Sequence, residues 1–138
     1  MREVRLSGDF ALPDRVADAI LVVDDDDAYR RVIEQMLHLE GFAPVTVPNG
    51  RAALNLLHAG FPAKAIVLDL LMPIMDGWAF RREQLRDPQL ARVPVIVLSA
   101  LEDAHVDGCP IVRKSADLAD IVAEVAALIR AGTVAAER

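Results

Sequence analysis

Ala19-Ile20-Leu21-Val22-Val23-Asp24-Asp25-Asp26-Asp27 is the stretch on which the fold turns. Its apolar half has no alternating polar residues, so it reads as a strand buried on both faces. Strands of that kind belong to parallel sheets covered by helices on each side. The acids then stand just past the strand's carboxyl end, where open α/β sheets bind their ligands. Adjacent carboxylates repel one another unless something positive joins them, and a hard divalent cation is the obvious candidate. A solvated acidic loop that caps the next helix is the plainer alternative.

Outward from that strand, apolar runs alternate with amphipathic ones. A first helix is expected over about 27–40, with Ile33, Met36 and Leu37 on one side and Gly41 as its stop. Asp27 is expected to cap it, leaving Asp26 solvated. A second strand is expected over 43–47, followed by a helix that Asn49 caps and that carries Ala53, Leu54 and Leu57 on one face. Ala65-Ile66-Val67-Leu68 reads as a third strand running into Asp69, and Gly77 to Arg86 as a helix ending ahead of Pro88, with Asp76 its cap. Val93 to Leu98 and Pro110 to Arg113 read as the last two strands. From about Ser115 to Arg130, the stripe Leu118, Ile121, Val122, Val125, Leu128 and Ile129 predicts the final helix.

The link between the last two strands is short. Residues 100–109 give ten positions, where a parallel crossover usually needs about a dozen or more. Gly108 and Pro110 shorten it further, so the helix expected there is a single turn or absent.

Composition narrows the function. The 138 residues suffice for one domain with a proper core. Hydrophobic residues make up 54% and charged residues 26%, a globular balance rather than a disordered one. The net charge is −6 and no basic cluster stands out, which argues against a nucleic-acid face. No apolar run approaches the ~18 residues of a membrane span. Met1-Arg2-Glu3-Val4-Arg5 has no apolar region behind it, so no secretory signal is expected. Cys109 is the sole cysteine, which excludes a disulfide framework and fits a reducing cytoplasm. His38, His58 and His105 lack metal-ligand spacing.

In this reading four chain-distant polar sites fall at the carboxyl ends of four strands: Asp24 with Asp25, then Asp69, Ser99 and Lys114. Their convergence implies one pocket holding three carboxylates, a hydroxyl and an ammonium.

The same residues carry a resemblance. Leu21-Val22-Val23-Asp24-Asp25, Asp69-Leu70-Leu71-Met72-Pro73-Ile74-Met75-Asp76-Gly77, Ser99-Ala100 and Lys114 together resemble the receiver domain of bacterial two-component response regulators, the CheY-like family. The resemblance covers about residues 19–130. It implies a flavodoxin-like, doubly wound α/β fold whose five parallel strands run in the order 2-1-3-4-5. It implies a receiver domain over 19–131, which leaves an N-terminal extension over 1–18 and a C-terminal tail over 132–138. In the extension Val4, Leu6, Phe10 and Leu12 alternate around Ser7-Gly8-Asp9, which reads as a loosely held arm or, second, a small hairpin.

It further implies that Asp69 is the phosphoacceptor, taking its phosphoryl group from a sensor histidine kinase or a histidine phosphotransfer protein. Asp25 is then the direct Mg²⁺ ligand and Asp24 holds the metal through water or as a second ligand. Asp69 and the backbone carbonyl of Leu71 complete the protein's donors. Lys114 holds a phosphoryl oxygen, Ser99 donates its hydroxyl to the same group, and Ala100 leaves room beside it. Such a domain catalyses only its own phosphorylation and dephosphorylation. It signals through an unidentified output protein, with no DNA or membrane partner of its own, in the cytoplasm. Leu71 and Leu101, two residues beyond Asp69 and Ser99, are positioned to shield the phosphoryl group from water, which predicts a long-lived phosphorylated state.

The sequence also departs from that family. Ser115 stands where proline usually follows the lysine, and a cis bond without proline costs about 3 kcal/mol or more. Ile111 stands where an aromatic switch residue is usual. A degenerate receiver that acts as a phosphorylation-independent interaction module is therefore an alternative. A Mg²⁺-dependent phosphatase with an aspartyl nucleophile is another, although Leu71 occupies the place of its second acid.

Overall fold

The computed structural model describes residues 17–115 and 117–136. The N-terminal arm expected over residues 1–18 falls outside them except for its last two residues, and so do the last two residues of the expected tail. Along the described chain run β1 (Ala19–Val23), α1 (Asp27–Leu39), β2 (Ala43–Val47), α2 (Gly50–His58), β3 (Ala65–Leu68), α3 (Gly77–Arg86), β4 (Val95–Ser99), β5 (Ile111–Arg113) and α4 (Leu118–Ala136). All strand pairs are parallel, and the sheet order is β2-β1-β3-β4-β5. This is the flavodoxin-like order, with β1 at the switch point between β2 and β3.

Period-two alternation in the strands divides the core between the two faces of the sheet. On one face Ile20, Val22, Val67, Ile96, Leu98 and Val112 meet Ile33 and Leu37 of α1 and Ile121, Val125 and Ile129 of α4. On the other, Leu21, Val23, Ile66, Leu68, Val95 and Val97 meet Ala53, Leu54 and Leu57 of α2 and Phe80 of α3. Both faces of the central strands are covered, which is why they read as unbroken apolar runs.

The link from β4 to β5 forms turns and no helix. Val106 closes the core in a helix's place, and the Trp78 indole donates to the His105 carbonyl at 3.1 Å. A buried glutamine, Gln84 at the end of α3, secures the approach to β4. Its amide donates to the carbonyls of Leu90 and Val93 at 2.9 and 3.0 Å and accepts from Arg81 at 2.7 Å.

Two expectations need correction. Asp26, not Asp27, caps α1: it is extended and accepts from the Tyr29 amide at 3.0 Å. Asp27 lies in the first turn, where it favours the positive end of the helix and pairs with Arg30. The last helix begins three residues later than expected and runs on to Ala136 rather than ending near Arg130. Within that helix Gly132 sits close against Pro94, where a Cβ would come within 3.3 Å.

Candidate phosphoryl-transfer site

The carboxyl ends of β1, β3, β4 and β5 lie side by side, and there Asp24, Asp25, Asp69 and Lys114 meet, while Ser99 ends β4. Asp24 is 3% and Asp69 8% exposed, and Ser99 is fully buried, whereas Asp25 is exposed. Backbone bonds continue the sheet register past the strands: the Asp69 amide donates to Val23 and the Lys114 amide to Ser99, both at 2.9 Å. One carboxylate oxygen from each of Asp24, Asp25 and Asp69 lies within 4.8 Å of the others. Lys114 reaches in from β5, its Nζ 2.6 Å from Asp24 Oδ2 and 3.5 Å from Asp69 Oδ1.

The Lys114–Ser115 peptide is trans, as are the other described peptides. The trans bond does not divert the lysine from the acids. Ser99 keeps its hydroxyl at the rim, where Oγ accepts from the Leu101 amide at 3.1 Å. Ala100 beside it is exposed. Leu71 is exposed too, but Leu101 is half-buried and packs against the core on the α2–α3 side, so the two leucines are not equivalent screens.

The loop after β3 is shaped by its glycine. A Cβ on Gly77 would lie 2.5 Å from the Asp69 carbonyl oxygen and 2.8 Å from Leu70 Cα. Only glycine lets α3 start this close to the strand end. Asp76 caps the helix, accepting from the Ala79 amide at 2.8 Å, as Asn49 does for α2 from Ala52.

Electrostatics follow from the packing. Burial pushes the Asp69 carboxyl up to about 6, against the pull of the Lys114 charge; Asp24 adds to the rise. Burial lowers Lys114, but its hydrogen bond to Asp24 and the charges of Asp24 and Asp69 outweigh this and hold it above the ordinary lysine value. The donor set is all carboxylate oxygen, which suits a hard divalent cation. Both Asp24 oxygens already have partners, the Asp26 amide at 2.9 Å and Lys114, so exposed Asp25 is the freer of the pair.

Residues 20–125 match the family model described as the response regulator receiver domain. The chain belongs to that family. A solved receiver domain of a signal transduction histidine kinase from Syntrophus aciditrophicus superposes with a TM-score of 0.75 at 27% identity, covering 88% of this chain and 94% of that one. The response regulator TrrA of Thermotoga maritima, solved in complex with Mg²⁺-BeF, gives 0.69 at 27% identity over 80% of this chain and 98% of that one. Among curated relatives, a probable transcriptional regulator, ycf27 of Guillardia theta, is 37% identical over 86 residues, which is 62% of this chain. The receiver spans about a third of that relative's length.

Reading the sequence did not single out two neighbours of the receiver's acid cluster. Arg30 donates from Nη1 to the Asp24 carbonyl at 2.7 Å and braces the β1–α1 turn. Tyr29, in the first turn of α1, lies with its ring centroid 4.5 Å from Lys114 Nζ. The Tyr29 contact has no local signature, since Lys114 comes from the far edge of the sheet.

Proposed function

We propose that this receiver domain accepts a phosphoryl group on Asp69 from a histidine-borne donor, a sensor kinase or a phosphotransfer protein, with Mg²⁺ bound. The observation that carries the reading is the meeting of Asp69 with Lys114 and two further carboxylates in one half-buried cluster. An ionised Asp69 oxygen attacks phosphorus, the bond from phosphorus to the donor imidazole breaks, and the nitrogen keeps the electron pair. Lys114 takes up a phosphoryl oxygen and Ser99 donates its hydroxyl to another. Asp25, with Asp24, Asp69 and the Leu71 carbonyl, would hold the metal, which supplies charge neutralisation at the phosphoryl oxygens. The Mg²⁺-BeF complex of TrrA supports that choice of ion.

Signalling follows from changed binding rather than turnover: the new charge at Asp69 draws Ser99 and Lys114 and the flanking loops follow. The exposed side of α4, next to the helix-less β4–β5 link, is the interaction surface for the output protein. The names of the curated relatives weigh against the expectation that DNA plays no part in the output. The net charge of −6 disfavours a DNA contact on this domain's own surface. No helix among the described residues is long and apolar enough to cross a membrane. A lone cysteine, Cys109, fits a cytoplasmic setting.

Incubation with acetyl phosphate and Mg²⁺ tests the assignment. A mass gain of one phosphoryl group, absent in Asp69→Asn, is expected. No gain in the wild-type chain would leave the phosphorylation-independent interaction module as the better reading.

A further inference from the structure

We propose that Tyr29 is the positioning residue for Lys114: its ring face forms the second wall of a cradle that holds the ammonium between Asp24 and Asp69. This rests on the phosphoacceptor reading for its purpose but not for its geometry. On one side the ammonium meets Asp24 Oδ2 at 2.6 Å; on the other it stands over the Tyr29 ring, 4.5 Å from the centroid. That is inside the range in which an aromatic face attracts a cation. The ring is half-buried and packs against the core cluster of α1 and α4, so its place is fixed by the fold.

The hydroxyl is not what fixes it. Tyr29 Oη is buried and has no hydrogen-bond partner among the described residues. A buried phenol without a partner is disfavoured relative to phenylalanine, so the contact made by the ring is the one that is satisfied. Ile111, at the start of β5, packs into the other core cluster, across the sheet. Among the described residues the aromatic next to Lys114 comes from α1.

A ring face suits this lysine's task. An incoming phosphoryl group requires Lys114 to exchange a carboxylate partner for a phosphoryl oxygen. A hydrogen bond to Asp24 is directional and is weakened by that movement. Attraction to a ring face is broad, so the ammonium can shift across it without losing support. Confinement beforehand also removes side-chain freedom that a flexible lysine would otherwise lose during transfer.

The test combines a position and a rate. In the unmodified protein, the Lys114 side-chain methylene protons are expected to be shifted upfield by the ring current in NMR spectra, in wild type and Tyr29→Phe, and to return to ordinary values in Tyr29→Leu. Phosphorylation by acetyl phosphate and Mg²⁺ is expected to slow about five- to tenfold in Tyr29→Leu and to stay within about twofold of wild type in Tyr29→Phe. A merely structural role would not produce rescue by Phe together with a restored Lys114 shift. Tyr29→Met is the second variant should Leu fail to fold, and the wild-type shift needs no variant at all. Ordinary Lys114 shifts in the wild type overturn the proposal, as do a Leu variant as fast as wild type or a Phe variant as slow as Leu. If no variant and no wild type takes phosphate, the phosphoacceptor reading fails, while the shifts still decide whether Tyr29 positions the lysine.

Discussion

Lys114 Nζ and Asp24 Oδ2 are 2.6 Å apart, joined across 90 residues of chain from the end of β5 to the end of β1. Both side chains are largely buried, and Asp69 stands just behind them. Removing the ammonium leaves two buried carboxylates facing each other with nothing between them. Loss of one partner of a buried pair costs on the order of 3 kcal/mol. Lys114→Met is therefore expected to lower stability by about that amount in urea unfolding without Mg²⁺. Added Mg²⁺ is expected to recover more stability in the variant than in wild type, because a cation then does the lysine's work of joining the acids. Equal recovery in both would count against a metal site shared with the lysine.

Asp69 ties stability to pH. Its carboxyl is raised from an ordinary 3.8 to about 6 in the folded state, by burial first. The native protein therefore binds more protons than the unfolded chain between those values. Stability from this group is fully present below the unfolded value, falls as pH rises through the window, and is lost above about 6. The full span amounts to up to about 3 kcal/mol. Asp69→Asn, which cannot ionise, is expected to lack that slope and to be the more stable protein at neutral pH. Urea unfolding of both from pH 4.5 to 7.5 with chelator present measures the difference; parallel profiles would refute it.

Gly77 sets the distance between α3 and the phosphoacceptor candidate. An alanine methyl there would overlap the Asp69 carbonyl and Leu70. Since the obstacle is backbone, it cannot rotate away. Gly77→Ala is expected to destabilise by about 1–3 kcal/mol and to reduce phosphorylation of Asp69 beyond what the loss of folded protein explains. Normal phosphorylation per folded molecule would show that the strand end tolerates the shift.

Leu71 is 57% exposed beside the rim, while Leu101 packs into the core. Of the two, Leu71 is the one free to screen a phosphoryl group on Asp69 from water. Leu71→Asn, which can orient a water instead of excluding it, is expected to shorten the phosphoryl lifetime several-fold, on the order of 1 kcal/mol in barrier. Leu101→Asn is expected to act on stability more than on lifetime. Loss of radiolabel from the isolated phosphoprotein follows both, and an unchanged lifetime in Leu71→Asn would remove the screening argument.

What the sequence made legible was local or repetitive. Strands buried on both faces announce themselves as unbroken apolar runs, and the caps Asn49 and Asp76 each stand alone before a helical stripe. Asp26 and Asp27 are chemically identical neighbours, so nothing local told which would cap α1. The role of Gln84 had no local signal, because the carbonyls it serves belong to the following link. The close approach of Gly132 to Pro94 had no signal either, because the two are distant in the chain. Tyr29 failed to signal for the same reason, as its partner comes from β5. The acids of the candidate site were legible because their chemistry lies at strand ends; the groups that tune them were not, because tuning is a matter of three-dimensional contact.

Strain beside the site supplies the last prediction. Ile74, in the loop between Asp69 and α3, has φ +71, and the Met75 amide bonds back to the Pro73 carbonyl at 2.7 Å. That is a tight three-residue turn of the rarer hand, centred on a β-branched side chain. Such a backbone costs about 1–3 kcal/mol. Ile74 is 81% exposed, so its side chain returns little by burial. Glycine adopts the same φ freely but loses about 0.4–1 kcal/mol through a more flexible unfolded chain. Ile74→Gly is therefore expected to gain about 1 kcal/mol in urea unfolding, and Ile74→Asn a comparable amount, while Ile74→Val changes little. Phosphorylation gives the strain its meaning. If the relaxed variants are more stable yet accept phosphate more slowly, the strained turn helps to hold Asp69 in its reactive position. If they accept it at the wild-type rate, the exposed isoleucine is retained for some other contact, and the strain plays no part in the chemistry.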